Sequence, residues 1–332
     1  MQRMRHAVVV LAALMVVLLM SSVMIADATL AKIRYAGQYY PEEFVLAGMP
    51  ELWTKYGIEV EHTLFSSGAE NNVALISGAA DINCGSDSKT VSLFTAIPEQ
   101  ALIIGVAQRG DRYSTIVHVD SPYQSWYDLK GKKVGTRLGT GAEQVLRRYF
   151  ELNPDLDWDD FEWVNIKIED MTAALANRSI EAFTAWEPTP AVAETQGIGR
   201  SIRSFGDVAL TPVFIHTTVS YAEQHRAEIV RFLAAHLDKA ALIKNDPEKA
   251  AAIAAEVAGA QGAYVAPEAF AKIFERVDFS LDLDEAVVAA LQDTANFLYE
   301  QEQVDTIPQF RWDASFLEEA KTLRDSVSSD EG

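Results

Sequence analysis

Cysteine and histidine are both scarce in this chain of 332 residues, which has one cysteine and six histidines. A single cysteine excludes an intrachain disulfide. We expect Cys84, beside Gly85 near the end of a short apolar run, to be a small buried residue. No two histidines have the spacing of metal ligands on one helix face, so we expect neither a metal nor a cofactor.

Basic residues are also in deficit. The chain has 28 Lys and Arg against 48 Asp and Glu, which gives a formal net charge of −20. A surface this acidic argues against nucleic acid or anionic lipid as a partner and favours solubility. It does not exclude an anionic ligand, because the dipoles near a binding site, rather than the net charge, determine whether an anion binds there.

Internal repeats, long Pro/Ser linkers and low-complexity blocks are absent before the acidic tail at 325–332. Nucleotide-binding loops are missing as well. The stretch 137–143 has Gly139 and Gly141 but neither the Lys-Ser/Thr of a phosphate loop nor a third glycine at dinucleotide spacing. Because 332 residues exceed what one hydrophobic core usually serves, we expect two domains joined by strands.

The amino terminus has the pattern of an export signal. Arg3 and Arg5 precede an apolar run over 7–20, and small residues follow at 26–28. We predict a signal peptide over 1–28, cleaved after Ala28 or after Ala31, and a periplasmic protein. A retained anchor is the alternative, because about 20 apolar residues span a bilayer. No cysteine lies near the cleavage site, so lipid attachment is not expected.

Strand and helix patterns alternate along most of the chain. Strands are predicted at 32–36, 58–65, 81–84, 101–107, 114–119, 161–167, 182–186, 201–204 and 213–220, with another starting at Lys133. The intervening helices include one over 44–56, and the sequence after Tyr221 is nearly all helical. This order predicts an α/β protein of two lobes, each an open mixed sheet flanked by helices.

Small and polar residues stand where several of these strands end. The candidate ligand-binding residues are Gln38, Tyr39, Tyr40, Ser67, Gly68, Gly85, Ser86, Asp87, Gly139, Thr140, Gly141, Trp186 and Glu187. Backbone N–H groups and hydroxyls in the turns at 67–68, 85–86 and 139–141 favour an oxyanion. Capping of the following helices is the alternative role for Ser67, Ser86 and Thr140.

The aromatic and acidic candidates suggest an organic solute. Tyr39 and Tyr40 on one side and Trp186 on the other predict an aromatic wall from each lobe. Asp87, Glu187 and Glu42 are possible counter-charges for an amine, which together with an oxyanion site suits a zwitterion. Glu42 and Glu43 are otherwise expected to form a solvated first helical turn.

Two phrases carry a family resemblance. Ala74-Leu75-x-x-Gly78-x-x-Asp81 followed by a Gly-Ser turn, and Trp186-Glu187-Pro188, resemble the solute-binding proteins of ABC importers for taurine, alkanesulfonates, nitrate and thiamine precursors. Further matches lie at 128–135 and 293–298, so the resemblance covers about 32–320. It implies a type II periplasmic binding fold, a small-molecule solute, a permease partner in the inner membrane and a monomer.

The resemblance also implies a domain layout and a function. Lobe 1 would consist of 32–115 and 218–332, and lobe 2 of 116–217, with two crossing hinge strands. The expected solute is a small sulfonate such as taurine or a related aminosulfonate. The alternative is a thiamine-precursor-like aminopyrimidine, stacked between Tyr39 and Trp186 with Glu187 accepting from its ring amine. An enzyme on the same fold lacks support in a chain with one cysteine, so no catalytic residues are expected.

Overall fold

The computed structural model describes residues 30–330. The predicted signal peptide over 1–28 lies outside the described residues, whereas Ala31 is the first residue of a strand. Across 30–330 every helix is too short or too polar to cross a bilayer.

The described strands are β1 (Ala31–Gln38), β2 (Ile58–Phe65), β3 (Ile82–Ser86), β4 (Ala101–Gly110), β5 (Tyr113–His118), β6 (Lys133–Thr136), β7 (Glu162–Asn165), β8 (Ala182–Trp186), β9 (Gly199–Ser204), β10 (Val213–Thr218) and β11 (Val277–Asp278). The described helices are α1 (Pro41–Ala47), α2 (Glu51–Lys55), α3 (Gly68–Ile76), α4 (Asp87–Ala96), α5 (Gly141–Glu151), α6 (Ile168–Ala176), α7 (Thr189–Thr195), α8 (Val219–Gln224), α9 (Arg226–Asn245), α10 (Pro247–Ala260), α11 (Pro267–Arg276), α12 (Glu285–Glu300) and α13 (Ser315–Asp330).

Six strands form the first sheet, in the order β11-β4-β10-β3-β1-β2. β1 and β3 are parallel, with Tyr35 opposite Ile82. β10 runs antiparallel to both β3 and β4. The carboxyl ends of β1 and β3 therefore lie at the same edge of the sheet, where open α/β sheets bind ligands.

Five strands form the second sheet, in the order β7-β6-β8-β5-β9. β6 is parallel to β7 and β8, and β5 is antiparallel to β8 and β9. The carboxyl ends of β6 and β8 thus share an edge as well. Two mixed sheets flanked by helices confirm the predicted α/β fold class.

The chain crosses between the sheets twice. It leaves the first sheet after β4, through residues 111–112, and returns after β9, through 205–212. β5 pairs only within the second sheet and β10 only within the first, so each change of sheet occurs earlier in the chain than the predicted lobe boundaries at 115/116 and 217/218. The division into lobes stays a prediction.

The predicted helix over 44–56 is wrong, because this stretch forms α1 and α2. Gly48 follows the last residue of α1, and Pro50 immediately precedes α2. Proline has no N–H to donate to the preceding turn, so a continuous helix would lose a hydrogen bond there. Pro41, by contrast, begins α1, where its missing donor costs nothing.

The helices after residue 219 cover the first sheet. Phe232 and Leu233 on α9 have no exposed surface, and α10 and α11 form a buried cluster with Phe44 of α1. The last helix, α13, packs through the buried Phe316. Its Glu319 forms an ion pair with Arg226, the first residue of α9. Residues 32–330 belong to one compact unit.

Candidate functional site

Lys89 on α4 connects the two sheets at the predicted site. Its Nζ donates to the carbonyl oxygen of Gly139, 3.1 Å away in the turn between β6 and α5. A β-carbon added to Gly68 would lie 3.0 Å from Cγ of Lys89, and one added to Gly85 would lie 3.4 Å from its Cβ. The structure therefore brings three of the predicted turns together around one lysine.

The two serines of the first sheet's turns have internal contacts. Ser67 precedes α3, and its N–H and hydroxyl both donate to Oε2 of Glu70, at 3.0 and 3.1 Å. This is a capping box. The hydroxyl of Ser86, which is 7% exposed, lies 3.1 Å from that of Ser88. The donors of Ser67 that were predicted for an oxyanion are used within the helix start.

The turn at 139–141 also satisfies its own polar groups. Gly139 has a positive φ of 72°, a conformation that favours glycine, and its N–H donates to Oε2 of Glu143 at 2.8 Å. The Thr140 hydroxyl donates to the carbonyl oxygen of Arg137 at 2.6 Å and accepts from the N–H of Ala142 at 3.3 Å. Two further predicted donors are thus used within the turn.

Asp87, the first residue of α4, is 1% exposed and belongs to a hydrogen-bond chain. Its Oδ1 accepts from the N–H of Ser88 and its Oδ2 from the hydroxyl of Thr294, both at 2.8 Å. The Thr294 hydroxyl accepts in turn from Nε2 of Gln144 at 2.7 Å. Burial raises the pKa of Asp87, against the opposing effect of Arg112. This series of hydrogen bonds joins α4, α12 and α5. Because α4 follows β3 and α5 follows β6, it links helices of both sheets.

Gln38, Tyr39 and Tyr40 lie at the carboxyl end of β1. Gln38 and Tyr40 are each 3% exposed, whereas Tyr39 is 39% exposed and stacks on Phe44 with ring centroids 5.9 Å apart. Burial raises the pKa of Tyr40 well above its usual range, so its hydroxyl stays protonated. Of the three side chains, Tyr39 is the one with substantial exposed surface.

Glu42 and Glu43 are wholly buried, so the expected solvated helical turn is wrong. Glu43 accepts from the hydroxyl of Tyr35 at 2.7 Å and lies 2.9 Å from Nε2 of His62. Burial raises the pKa of Glu42 to about 8, although Lys239 opposes this shift. Polarity indicated a solvent-facing turn, but α1 packs against α9 and faces inward.

Trp186 and Glu187 end β8 on the opposite side. Trp186 is partly buried and meets the ring of Tyr113 edge to face, with centroids 6.4 Å apart. Glu187 is 2% exposed and forms an ion pair with Arg276 of α11. Its Oε2 also accepts from the N–H of Ala191 at 3.1 Å. The predicted counter-charge for an amine is therefore already paired within the protein.

Arg112, in the first crossing segment, is a residue that the sequence analysis missed. It is 1% exposed, and its Nε donates to the carbonyl oxygen of Thr211 at 2.7 Å. Its guanidinium carbon lies 4.6 Å from the ring centroid of Tyr113 and 5.8 Å from that of Tyr40. Arg109 stands three residues earlier and carries the same charge, so the sequence has no signal that separates the two.

Two cavities, of about 200 and 160 Å³, flank Arg34 rather than the predicted site. Arg34 pairs with Asp81, which precedes β3 and so lies at the opposite edge of the first sheet from Ser86. None of the candidate residues lines either cavity.

Cys84 is buried with no exposed surface, as expected. Between residues 30 and 330, no group of three or more His, Cys, Asp or Glu side chains is arranged to hold a metal ion.

Comparison with known proteins connects the chain to a family and to several binding proteins. Residues 27–258 match the NMT1-like family. A putative aliphatic sulfonates-binding protein of Escherichia coli (strain K12) is 28% identical over 260 residues, which cover 76% of this chain and 79% of that protein. These matches confirm the resemblance to ABC-importer solute-binding proteins.

Solved structures share the fold. The periplasmic aliphatic sulphonate binding protein SsuA from Escherichia coli superposes with a TM-score of 0.73 at 23% identity, covering 87% of this chain and 91% of its own. The alkanesulfonate-binding protein SsuA from Xanthomonas axonopodis pv. citri, bound to MOPS, has a TM-score of 0.71 at 21% identity, with 84% and 95% covered. The desulfurization enzyme DSZB has a TM-score of 0.67 at 16% identity, with 88% and 99% covered. Because an enzyme and binding proteins share this fold, fold alone does not decide between them.

Proposed function

Because the chain belongs to the NMT1-like family, we propose that it is the periplasmic solute-binding component of an ABC importer. In this role it captures a small sulfonate, such as taurine or a related aminosulfonate, between two closing lobes. The sulfonate-binding relatives support the solute class, since one of them matches three quarters of the chain.

The contact between Lys89 and Gly139 is the observation that carries this proposal. It places the turns of the first sheet against a turn of the second, with a cationic group between them. Parallel strands of each sheet end at these turns. A ligand that contacts the turns of both sheets would therefore stabilise the arrangement in which the two sheets are close together. A site shared by two sheets suits capture by closure.

We propose that the predicted residues line this site. Tyr39 and Trp186 supply the aromatic walls, one from each sheet, and the turns at 67–68, 85–86 and 139–141 form the polar rim. Lys89 and Arg137 add positive charge beside these turns, and the proximity of Arg137 is one cause that lowers the pKa of Lys89, after burial. An anionic head group is attracted to this edge despite the acidic surface elsewhere.

The remaining parts of the proposal rest on the sequence pattern of the amino terminus and on the family resemblance. The chain acts without making or breaking bonds, is exported by a cleaved signal peptide and delivers its solute as a monomer to an inner-membrane permease. The aminopyrimidine alternative depended on Glu187 as acceptor for a ring amine. The ion pair between Glu187 and Arg276 weakens that alternative.

A ligand screen by thermal shift tests the proposal. A solute that binds only the native state stabilises it by about 2.7 kcal/mol at a hundredfold excess over Kd. We expect taurine, isethionate or short alkanesulfonates to raise the melting temperature at micromolar to millimolar concentration, and nitrate to have no effect. A shift with aminopyrimidines and none with sulfonates would overturn the assigned solute class.

A further inference from the structure

We infer that Arg112 is the cationic group that binds the acid group of the solute, at the junction of the two sheets. This inference rests on the proposed function, because it presumes an anionic solute held between the sheets. It differs from the sequence-based expectation, in which backbone turns alone hold the anion.

The position of Arg112 is fixed from three sides. Its carbonyl oxygen accepts from the N–H of Glu187 at 2.9 Å, which attaches it to the end of β8. Its Nε donates to Thr211 in the second crossing segment, so one side chain ties the two crossings together. The guanidinium lies near the rings of Tyr113 and Tyr40, where cation–π attraction holds it. A guanidinium immobilised before binding loses little freedom when an acid group binds to it.

One nitrogen of the guanidinium lacks a partner. Nη2 of Arg112 is buried and makes no hydrogen bond to the described residues. Arginine does not lose its proton in proteins, so this is a charged, desolvated donor. A buried charge without a partner is costly, which makes the position favourable for an incoming anion.

Two carboxylates influence Arg112 electrostatically without occupying Nη2. Asp87 and Glu42 are the acidic groups that act on it, together with the hydroxyls of Tyr113 and Tyr40. Both oxygens of Asp87 already accept hydrogen bonds. Burial raises the pKa of Glu42, although Lys239 opposes this shift. Nη2 of Arg112 therefore stays without a hydrogen-bond partner, although both carboxylates attract the charge of the guanidinium.

Three of the other predicted anion donors have internal partners. Ser67 donates to Glu70, Gly139 to Glu143, and Thr140 to the carbonyl oxygen of Arg137. An anion on Ser67 or Gly139 would displace a carboxylate of the protein, and one on Thr140 would displace a backbone carbonyl oxygen. Nη2 of Arg112 requires no such displacement, so it is the better receptor.

Arg112 is also next to the predicted rim. A β-carbon added to Gly141 would collide with the hydroxyl of Tyr113, whose ring lies against the Arg112 guanidinium. The glycine turn of the second sheet and the crossing arginine thus both contact Tyr113. The planar guanidinium fork suits an acid group with two or more equivalent oxygens, such as a sulfonate or carboxylate.

Arg112→Gln and Arg112→Lys variants test the inference, with Arg109→Gln as the matched control. Arg109 forms ion pairs with Asp278 and Asp284, away from the junction. Titration calorimetry measures Kd for taurine, methanesulfonate, a short carboxylate and a neutral aminopyrimidine with the full protein. Circular dichroism and the ligand-free melting temperature report whether each variant folds.

We expect Arg112→Gln to weaken the binding of the acid ligand by about 100-fold or more, because the desolvated charge pair is lost. Arg112→Lys keeps the charge without the fork and should retain intermediate affinity even if Arg112→Gln does not fold. Arg109→Gln should bind like the wild type. Wild-type affinity in a folded Arg112→Gln protein, or equal affinity of Arg112→Lys and wild type, overturns the inference.

The ligand panel separates this inference from the proposed function. Carboxylate binding that depends on Arg112, with no sulfonate binding, supports the inference and overturns the sulfonate assignment. Sulfonate binding that is unaffected in Arg112→Gln supports the proposed function and overturns the inference. Binding of the neutral pyrimidine alone overturns both.

Discussion

His216 on β10 shows how a single buried side chain makes the fold sensitive to acid. It has no exposed surface, its Nδ1 lies 3.0 Å from Oδ1 of Asn83, and its Nε2 lies 2.9 Å from the hydroxyl of Thr90. Asn83 donates its own amide to Asn72, so its Oδ1 is an acceptor and the histidine N–H at Nδ1 donates to it. Burial lowers the pKa of His216 to about 3.

This lowered pKa predicts the direction of the pH dependence. The folded state holds His216 neutral, whereas the unfolded chain protonates it near pH 6.5. Its contribution to stability is therefore complete above pH 6.5 and is lost as the pH falls toward 3, by about 1.4 kcal/mol per pH unit. Urea unfolding from pH 7 to 4 should show a shallower loss for His216→Gln than for the wild type.

The control for this prediction is His225→Gln. His225 is exposed at the end of α8, with 42% of its side chain accessible. We expect its pH slope to match that of the wild type. Parallel slopes for the wild type and His216→Gln would contradict the assignment of this acid sensitivity to His216.

Trp186 provides the test of the aromatic wall. If its partly buried ring packs on the solute, Trp186→Ala should weaken solute binding by about 1 to 3 kcal/mol, as truncation of a buried anchor does. Trp312→Ala is the matched control, because Trp312 is 45% exposed and lies beside Ile103 rather than at the strand ends. Calorimetry with the solute from the screen measures both. Unchanged affinity in Trp186→Ala removes this residue from the site.

At the scale of the elements, α4, α5 and α12 are linked through Thr294. Its hydroxyl donates to Asp87 and accepts from Gln144, so one side chain on α12 satisfies groups from both sheets. Arg148 of α5 and Asp293 of α12 form an ion pair beside it. Contacts of this kind set how the helices of the two sheets meet.

Thr294→Val removes this link at nearly constant volume. The variant leaves buried donor and acceptor groups on Gln144 and Asp87 without partners, so the free energy of unfolding should fall by about 1 to 3 kcal/mol. Thr95→Val is the matched control, because Thr95 is an exposed residue whose hydroxyl donates to the carbonyl oxygen of Val91 in its own helix. Denaturant unfolding measures both, and an equal, small loss in the two variants would show that the link contributes little.

At the scale of the whole molecule, contacts between the two sheets and their helices lie at several separate places. Lys89 bonds to Gly139, Arg276 pairs with Glu187, and Arg148 pairs with Asp293. If the proposed solute binds better when the sheets are close, it shifts the population toward that arrangement. The crossings at 111–112 and 205–212 are the segments about which such a motion would occur.

Small-angle scattering tests the closure. We expect the radius of gyration to fall when saturating solute is added to the wild type. Trp186→Ala at the same solute concentration should keep the larger value, because it binds less. A radius of gyration that is identical with and without bound solute would rule out closure on binding.

Local pattern predicted most of the secondary structure. β2 and β8 have the predicted bounds, and the helices and strands between Gly57 and Thr218 follow the predicted order. Apolar periodicity and glycine positions are local signals, so a single sequence reveals them. The helix over 44–56 failed at Pro50, where the pattern of apolar residues continued but the backbone donor did not.

The candidate site was predicted less completely. The sequence located the strand ends that border it, because strand ends follow from local pattern. It did not reveal that Glu42 and Glu43 face inward or that Glu187 pairs with Arg276, since both depend on helices far away in the chain. Arg112 was missed for the same reason, because its burial arises only where two crossing segments meet.

The order of strands and helices, the small-residue turns at their ends and the family resemblance were thus determined by the sequence itself. The elements and turns depend mainly on residues that are near neighbours in the chain, and the resemblance depends on short sequence phrases. Only the tertiary structure decided which charges are buried, which turn donors already have partners, and which of Arg109 and Arg112 lies between the sheets. Desolvation and ion pairing depend on what surrounds a group in space, and that information is distributed over the whole chain.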